Sequence, residues 1–181
     1  WGGLQISGRG TLRPDAAGTE PVTTSPKPAD DAHFPGLQLL GEIARGGMGV
    51  ILRGQETDLR RDVAIKVLQQ RFAKHPEVLA RFVEEAQIGG QLQHPGIVPV
   101  YQLGVLADER PYFTMKLVKG ETLAARLLQR REGPEERRRL LDIFLSICHT
   151  MAYAHSRRVV HRDLKPANVM VGAFGEVQVV D

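Results

Sequence analysis

The segment His161-Arg162-Asp163-Leu164-Lys165-Pro166-Ala167-Asn168 holds the side chains best suited to chemistry in this 181-residue chain. Asp163 offers a carboxylate, Lys165 a cation and Asn168 an amide. A carboxylate can take up a proton, an ammonium can offset anionic charge, and an amide oxygen can bind a hard cation. The three together suit one reacting phosphoryl group. Asp181, the last residue, is a further carboxylate of the kind that holds a metal.

Two other features fit the same chemistry. Arg45-Gly46-Gly47-Met48-Gly49 lies between two strand-like stretches. That placement argues against a dinucleotide fold, where the glycines join a strand to a helix. A Walker-type loop is also excluded, because no Gly-Lys-Ser/Thr follows. Glycines let backbone N–H groups approach a phosphate with no side chain in the way. Alone, the cluster reads better as a glycine-rich hairpin turn. Lys66 sits inside the apolar run Val63-Ala64-Ile65-Lys66-Val67-Leu68. A lysine there is costly to bury without a partner, although it could also snorkel at a strand edge. The helix expected next offers Glu84 and Glu85, and helical spacing puts Glu85 with Val78, Phe82 and Ile88 on the face toward the sheet.

With these pieces in this order, the chain resembles a protein kinase of the bacterial, eukaryotic-like serine/threonine type. The match runs through the Ala44–Gly49 loop, the Lys66 strand, Glu85, the His161–Asn168 segment and Asp181, over roughly residues 36–181. The resemblance implies ATP and Mg²⁺ as cofactors and protein Ser/Thr hydroxyls as acceptors. It implies that Ala44, Gly46, Gly47 and Gly49 cover the phosphates, and that Lys66 contacts them while held by Glu85. Asp163 would accept or orient the hydroxyl proton, and Lys165 would neutralise the transferring group. Asn168 and Asp181 would hold the metal. Ile51 and Ala64 would roof the adenine pocket, Met170 would floor it, and Met115 would stand at its back. The backbone of Lys116 and Val118 would bond the base. The apolar members of this set also read as ordinary core. Lys165 favours serine/threonine over tyrosine acceptors, and Arg162 resembles kinases whose activation loop is ordered by phosphorylation. Two alternatives stay open: a catalytically dead, ATP-binding regulatory module, and a small-molecule phosphotransferase of kinase-like fold.

Three positions depart from the family pattern. Ala44 stands where the first loop glycine is usual, and Lys116 where an acidic residue is common. Gly89, one turn after Glu85, replaces a larger apolar residue and is expected to loosen that helix.

The elements that must position these groups can be read from periodicity. Residues 37–44 and 50–55 read as a hairpin, followed by a strand at 63–68 and a helix at 77–92. Strands at 97–103 and 112–118 complete a five-stranded, mostly antiparallel sheet. Helices follow at 121–131 and 134–155, with Pro134 suited to a first turn. Two short strands lie at 169–171 and 177–180. The fold expected is therefore α+β: an N-terminal lobe over 36–118 and a mainly helical, partial C-terminal lobe over 119–181. Gly and Pro fill ten of the first 35 positions, so 1–35 reads as a disordered leader.

Composition sets limits. Net charge of +3 is too small to argue for nucleic acid, and the Arg137-Arg138-Arg139 run reads as a solvated helix face. One cysteine, Cys148, excludes an intrachain disulfide and reads as core. His94 and His155 read as makers of structural hydrogen bonds. No apolar run reaches the 18 residues of a membrane span, so a cytoplasmic location is expected, with any anchor outside this segment. Kinases continue past the position of Asp181 with an aromatic-Gly pair, an activation segment and more helices. The 134–155 helix is apolar on more than one face, so the isolated chain is expected to expose an apolar patch, to aggregate or stay partly molten, and to be inactive by itself. Light scattering tests this: a monodisperse monomer with a sharp cooperative melt would contradict it.

Overall fold

The computed structural model describes residues 33–130 and 132–180. Strands β1 (Leu37–Arg45), β2 (Gly49–Glu56), β3 (Arg61–Leu68), β4 (Val100–Val105) and β5 (Pro111–Lys116) form an antiparallel sheet in the order β1-β2-β3-β5-β4. Helix α1 (Pro76–Gln91) joins β3 to β4. Then come β6 (Gly120–Thr122), α2 (Leu123–Leu128), α3 (Pro134–Ser156), β7 (Val169–Gly172) and β8 (Val177–Val179). The three last strands make a second antiparallel sheet, β6-β7-β8.

The unbroken apolar run in β3 has a simple cause: both faces of the strand are covered. Odd residues Val63, Ile65 and Val67 point into a core with Phe34, Leu52, Leu106 and Tyr112. Even residues point the other way, where Leu68 and Phe113 pack on Phe82 and Ala86 of α1. Ile65, Leu68 and Phe82 are fully buried. Burying one such side chain is worth about 1.5–3 kcal/mol. Exposed pairs such as Arg45–Glu42 are worth about 0–1 kcal/mol. The lobe is therefore held by the two apolar layers and not by its surface charges.

In the second lobe, Ile143 and Ile147 of α3 pack on Val169 and Val171, with Leu123, Leu140 and Met151 around them. The opposite face of α3 shows Leu141, Phe144 and Leu145 to solvent. Cys148 lies on that same face, one turn beyond Phe144, and is exposed instead of being core. Thr150, not the cysteine, fills the buried position there. His155, in the last turn of α3, is exposed, and its side chain makes no hydrogen bond among the described residues. His94 does make one: Gly96 N–H donates to its Nδ1 at 3.0 Å.

Several boundaries differ from expectation, among them the fifth strand, which ends at Lys116 and not at 118. The fourth strand begins at Val100, because 97–99 instead cross to the second lobe, where Ile97 bridges Val179 in parallel. The first helix of that lobe is only Leu123–Leu128, capped by Thr122 Oγ1, which accepts from Ala125 N–H at 3.1 Å. The residues before it pair with β7 as strand β6. At Gly89 a Cβ would come within 2.9 Å of Val100 Cγ2, so the glycine lets helix and β4 approach closely. Arg131, Asp181 and most of the expected leader lie outside the described residues.

The lobes meet where α1 ends. Gln93 N–H donates to Tyr153 Oη at 3.0 Å, and the His94 ring stacks on Tyr153 with centroids 5.1 Å apart. Gln178 Nε2 donates to Pro95 O at 3.2 Å, and Val179 N–H to Gly96 O at 2.8 Å. Gly96 presses on Thr150, whose hydroxyl is held by Ser146 O at 2.8 Å. A Cβ on Gly96 would fall 1.9 Å from that hydroxyl. Gly96→Ala should therefore lower stability by about 1–3 kcal/mol through overpacking. Thr150→Ala in the same chain should recover part of that loss. Chemical denaturation checks both, and a neutral Gly96→Ala would contradict the close approach.

Candidate active site

Strand parity places the first group. Lys66 is an even residue of β3, so its side chain lies on the α1 side, paired across the ladders with Ile51 and Phe113. The residue is 8% exposed. Its Nζ donates to Glu85 Oε1 at 2.5 Å. Glu85 takes this place because Phe82 and Ala86 turn its side of α1 to the sheet, while Glu84 points to solvent. A desolvated ammonium is tolerated only with such pairing.

The same parity gathers the other sheet residues. Ile51, Ala64 and Met115 share the face of Lys66, with Ala64 opposite Met115 in the ladder. Ala64 is buried, and Ile51, Met115 and Met170 are half-buried. Lys116 N–H is already given to Pro99 O at 3.1 Å, so this backbone nitrogen is committed within the fold. Val118 follows in the irregular stretch before β6. Just past it, Lys119 Nζ reaches Asp62 Oδ2 at 3.5 Å, where Arg53 also donates at 2.9 Å. The Arg53 guanidinium, bonded to Asp62, holds that carboxyl below the usual range.

The glycine loop spans the β1–β2 turn. Gly46 N–H closes it by donating to Gly49 O at 2.9 Å. Gly49 is buried, and a Cβ there would meet Lys66 Cγ at 3.3 Å, so only glycine fits easily over the lysine stem. Ala44, in contrast, sits in β1 opposite Ile51 and is exposed. Gln69 and Arg71, which went unmarked in the sequence, bond this loop from beyond β3. Both lie just after an apolar strand, where polar residues are routine, so their type carries no signal.

The third cluster is the 161–168 segment. Lys165 Nζ donates to Asp163 Oδ2 at 2.7 Å. Asn168 Nδ2 reaches Asp163 O at 3.0 Å and Oδ2 at 3.2 Å. Asp163 N–H donates to His161 Nδ1 at 3.3 Å, which leaves the ring proton on Nε2, 3.2 Å from Val180 O. Arg162 between them has φ of 67°, a left-handed conformation that costs a non-glycine residue roughly 1–3 kcal/mol. The Lys165 ammonium bonded to Asp163 holds the carboxyl below its usual range, and Asn168 and His161 act in the same direction.

The donor set fits a hard cation in part. Asn168 is buried and commits its Nδ2 to Asp163, so Oδ1 remains as an oxygen ligand. Asp181, the expected companion ligand, lies outside the described residues. Among the described residues no three His, Cys, Asp or Glu side chains gather as a metal site. A cleft of about 350 Å³ between α2, α3 and the β7–β8 turn, lined by Arg126, Arg139, Asp142 and Ser146, contains none of the groups above.

A lysine–glutamate pair spanning strand and helix, a glycine turn over it and an Asp-Lys-Asn loop on the second lobe describe a phosphotransferase-like scaffold. Residues 37–181 match the protein kinase domain, and the chain belongs to the protein kinase family. It is similar to serine/threonine-protein kinase PknD of Protochlamydia amoebophila. The identity is 36% over 155 residues, covering 80% of this chain and 16% of that protein. It is 38% identical over 154 residues to PknB of Mycobacterium tuberculosis, covering 83% of this chain and 24% of that one. Its fold resembles the crystal structure of the Mycobacterium tuberculosis PknI kinase domain. The TM-score is 0.67 at 26% identity, over 82% of this chain and 60% of that chain. The chain thus spans 16% and 24% of the length of the two curated relatives.

The depressed Asp163 titration gives a test of this geometry. The carboxyl is ionised above its lowered pKa, and Lys165 is the chief cause. Lys165→Met should raise the Asp163 pKa toward the ordinary carboxylate range. Carboxyl-carbon NMR through an acid titration measures it; an unmoved or lower midpoint would show that the ammonium does not sit on Asp163.

Proposed function

We propose that the protein is an ATP-dependent serine/threonine protein kinase and that this chain carries its phosphoryl-transfer groups. The observation that carries the reading is the Asp163 carboxylate, ionised and bonded to both Lys165 and Asn168 in one short loop. Asp163 orients an acceptor Ser or Thr hydroxyl and takes its proton as the oxygen attacks the γ-phosphorus. The bond from that phosphorus to the β-bridging oxygen breaks, and ADP leaves. Lys165 offsets negative charge on the group in flight. Lys66, steadied by Glu85, holds the α- and β-phosphates, and Gly46, Gly47 and Gly49 cover them. Ala44 flanks that loop. Asn168 and Asp181 would hold Mg²⁺, which would supply charge neutralisation at the phosphates. Ile51, Ala64, Met115 and Met170 enclose the adenine, whose amino group donates to the Lys116 carbonyl while the Val118 backbone bonds the same edge. Positioning and electrostatics supply nearly all of the catalysis.

The acceptors are proteins, and Lys165 favours hydroxyls of Ser and Thr. No nucleic acid enters the reaction. No helix among the described residues is long and apolar enough to cross a membrane, and the domain works on the cytoplasmic side, where ATP is available. The test is phosphate transfer from labelled ATP by the full-length gene product to Ser/Thr peptides, Tyr peptides and small alcohols. Transfer to Ser/Thr peptides is expected, falling about 10²–10⁴-fold in kcat for Asp163→Asn. Nucleotide binding without transfer would establish the regulatory alternative, and transfer to small alcohols alone would establish the third.

A further inference from the structure

We propose that Gln69 and Arg71 are positioning residues that preset the glycine loop for nucleotide phosphates. The inference rests on the kinase reading above and extends it to two residues outside the catalytic set.

The backbone carbonyls of the loop are almost all spoken for, and by one neighbour. Gln69 Nε2 donates to Gly46 O at 2.6 Å and lies 3.4 Å from Gly49 O. Arg71 Nη2 donates to Gly47 O at 2.9 Å. Gln69 N–H donates to Met48 O at 2.9 Å. Three consecutive carbonyls, of Gly46, Gly47 and Met48, are thus drawn toward the short segment that follows β3. In a trans peptide the N–H lies on the opposite side from the C=O of the preceding residue. Fixing those carbonyls therefore turns the N–H groups of Gly47, Met48 and Gly49 the other way, as a set.

That matters because, beyond the Gly46 N–H to Gly49 O bond that closes it, the loop has little else to orient it. Glycine peptides rotate freely between donor-in and carbonyl-in arrangements, and a carbonyl turned toward phosphate repels it. Met48 supplies one further tie, packing beside the Leu68–Phe82–Phe113 cluster. Arg71 is itself braced, its guanidinium lying 4.7 Å from the centre of the Phe72 ring. The tied loop is thus prepared before a ligand arrives, which reduces the ordering needed on binding. The effect is confined to phosphates, because adenine is bound by other residues.

Calorimetric titration of the full-length gene product with MgATP and with adenosine tests the proposal, using Gln69→Ala, Arg71→Ala and Arg71→Lys. Gln69→Glu serves as a second variant that keeps the shape, cannot donate and repels carbonyls. The expected result is an MgATP Kd raised about three- to tenfold by Gln69→Ala and by Arg71→Ala. Gln69→Glu should raise it more and Arg71→Lys less. Adenosine affinity and melting temperature should stay unchanged in all four. Wild-type binding with MgATP affinity unmoved by the variants would overturn the inference and leave the kinase reading standing. Parallel loss of adenosine and MgATP would also overturn it, since that marks a general structural role. A folded full-length wild-type protein that binds neither ligand would overturn both.

Discussion

An ammonium buried in the middle of a sheet constrains everything around it. Lys66 cannot sit on the α1 face of β3 unless a carboxylate comes to it, so α1 must dock with Glu85 inward. The docking is then completed by Phe82, Ala86, Leu68 and Phe113, which carry far more apolar burial than the ion pair could supply alone. The ion pair chooses the rotation of the helix, and the apolar layer holds it there. The glycine turn is subject to the same constraint, since Gly49 must pass over the lysine stem without a Cβ.

The second lobe is tied to this arrangement through residues with no chemistry of their own. The chain between α1 and β4 lies against Tyr153, Thr150, Gln178 and Val179. These contacts combine one ring stack, one backbone–backbone and two side-chain–backbone hydrogen bonds, and one glycine–threonine approach. They connect the end of the helix bearing Glu85 to the strand pair that follows the Asp163 loop. The end of α1 is therefore joined to β8 through packed atoms.

Much of this was legible in the residues. The period of two in β3 and of 3.6 in α1 decides between Glu84 and Glu85 without any coordinates. The turn residues and apolar runs locate five strands, one helix and the long α3. What periodicity could not supply was contact. Ile97, Val98 and Pro99 look like strand, but their partners lie across the lobe junction, so β4 starts later. Gly120–Thr122 is too short to read alone and becomes a strand only because β7 offers a ladder. Cys148 is small and apolar like its buried neighbours, and only the direction in which α3 docks puts it outside. The ties from Gln69 and Arg71 span more than 20 residues of sequence and end on carbonyls, which every residue has.

The β7–β8 hairpin is fastened at both ends of its open side. Val180 N–H donates to Asn168 O at 3.0 Å, while His161 takes the carbonyl of the same residue. Val169 pairs with Val179 at the base of the ladder. The hairpin is therefore a ruler between the amide that precedes it and whatever follows Val180. Its turn at 173–175 bears no part of that measurement, and Phe174 at the tip is 98% exposed. Residues added at the tip would leave the base where it is. A one-residue slip in the ladder would instead move the chain off Asn168 and turn every side chain of the strand to its other face. The spacing of Asn168 and Val180 is thus stored in a register, and this part of the chain can lengthen freely at one end while the other is held by hydrogen bonds.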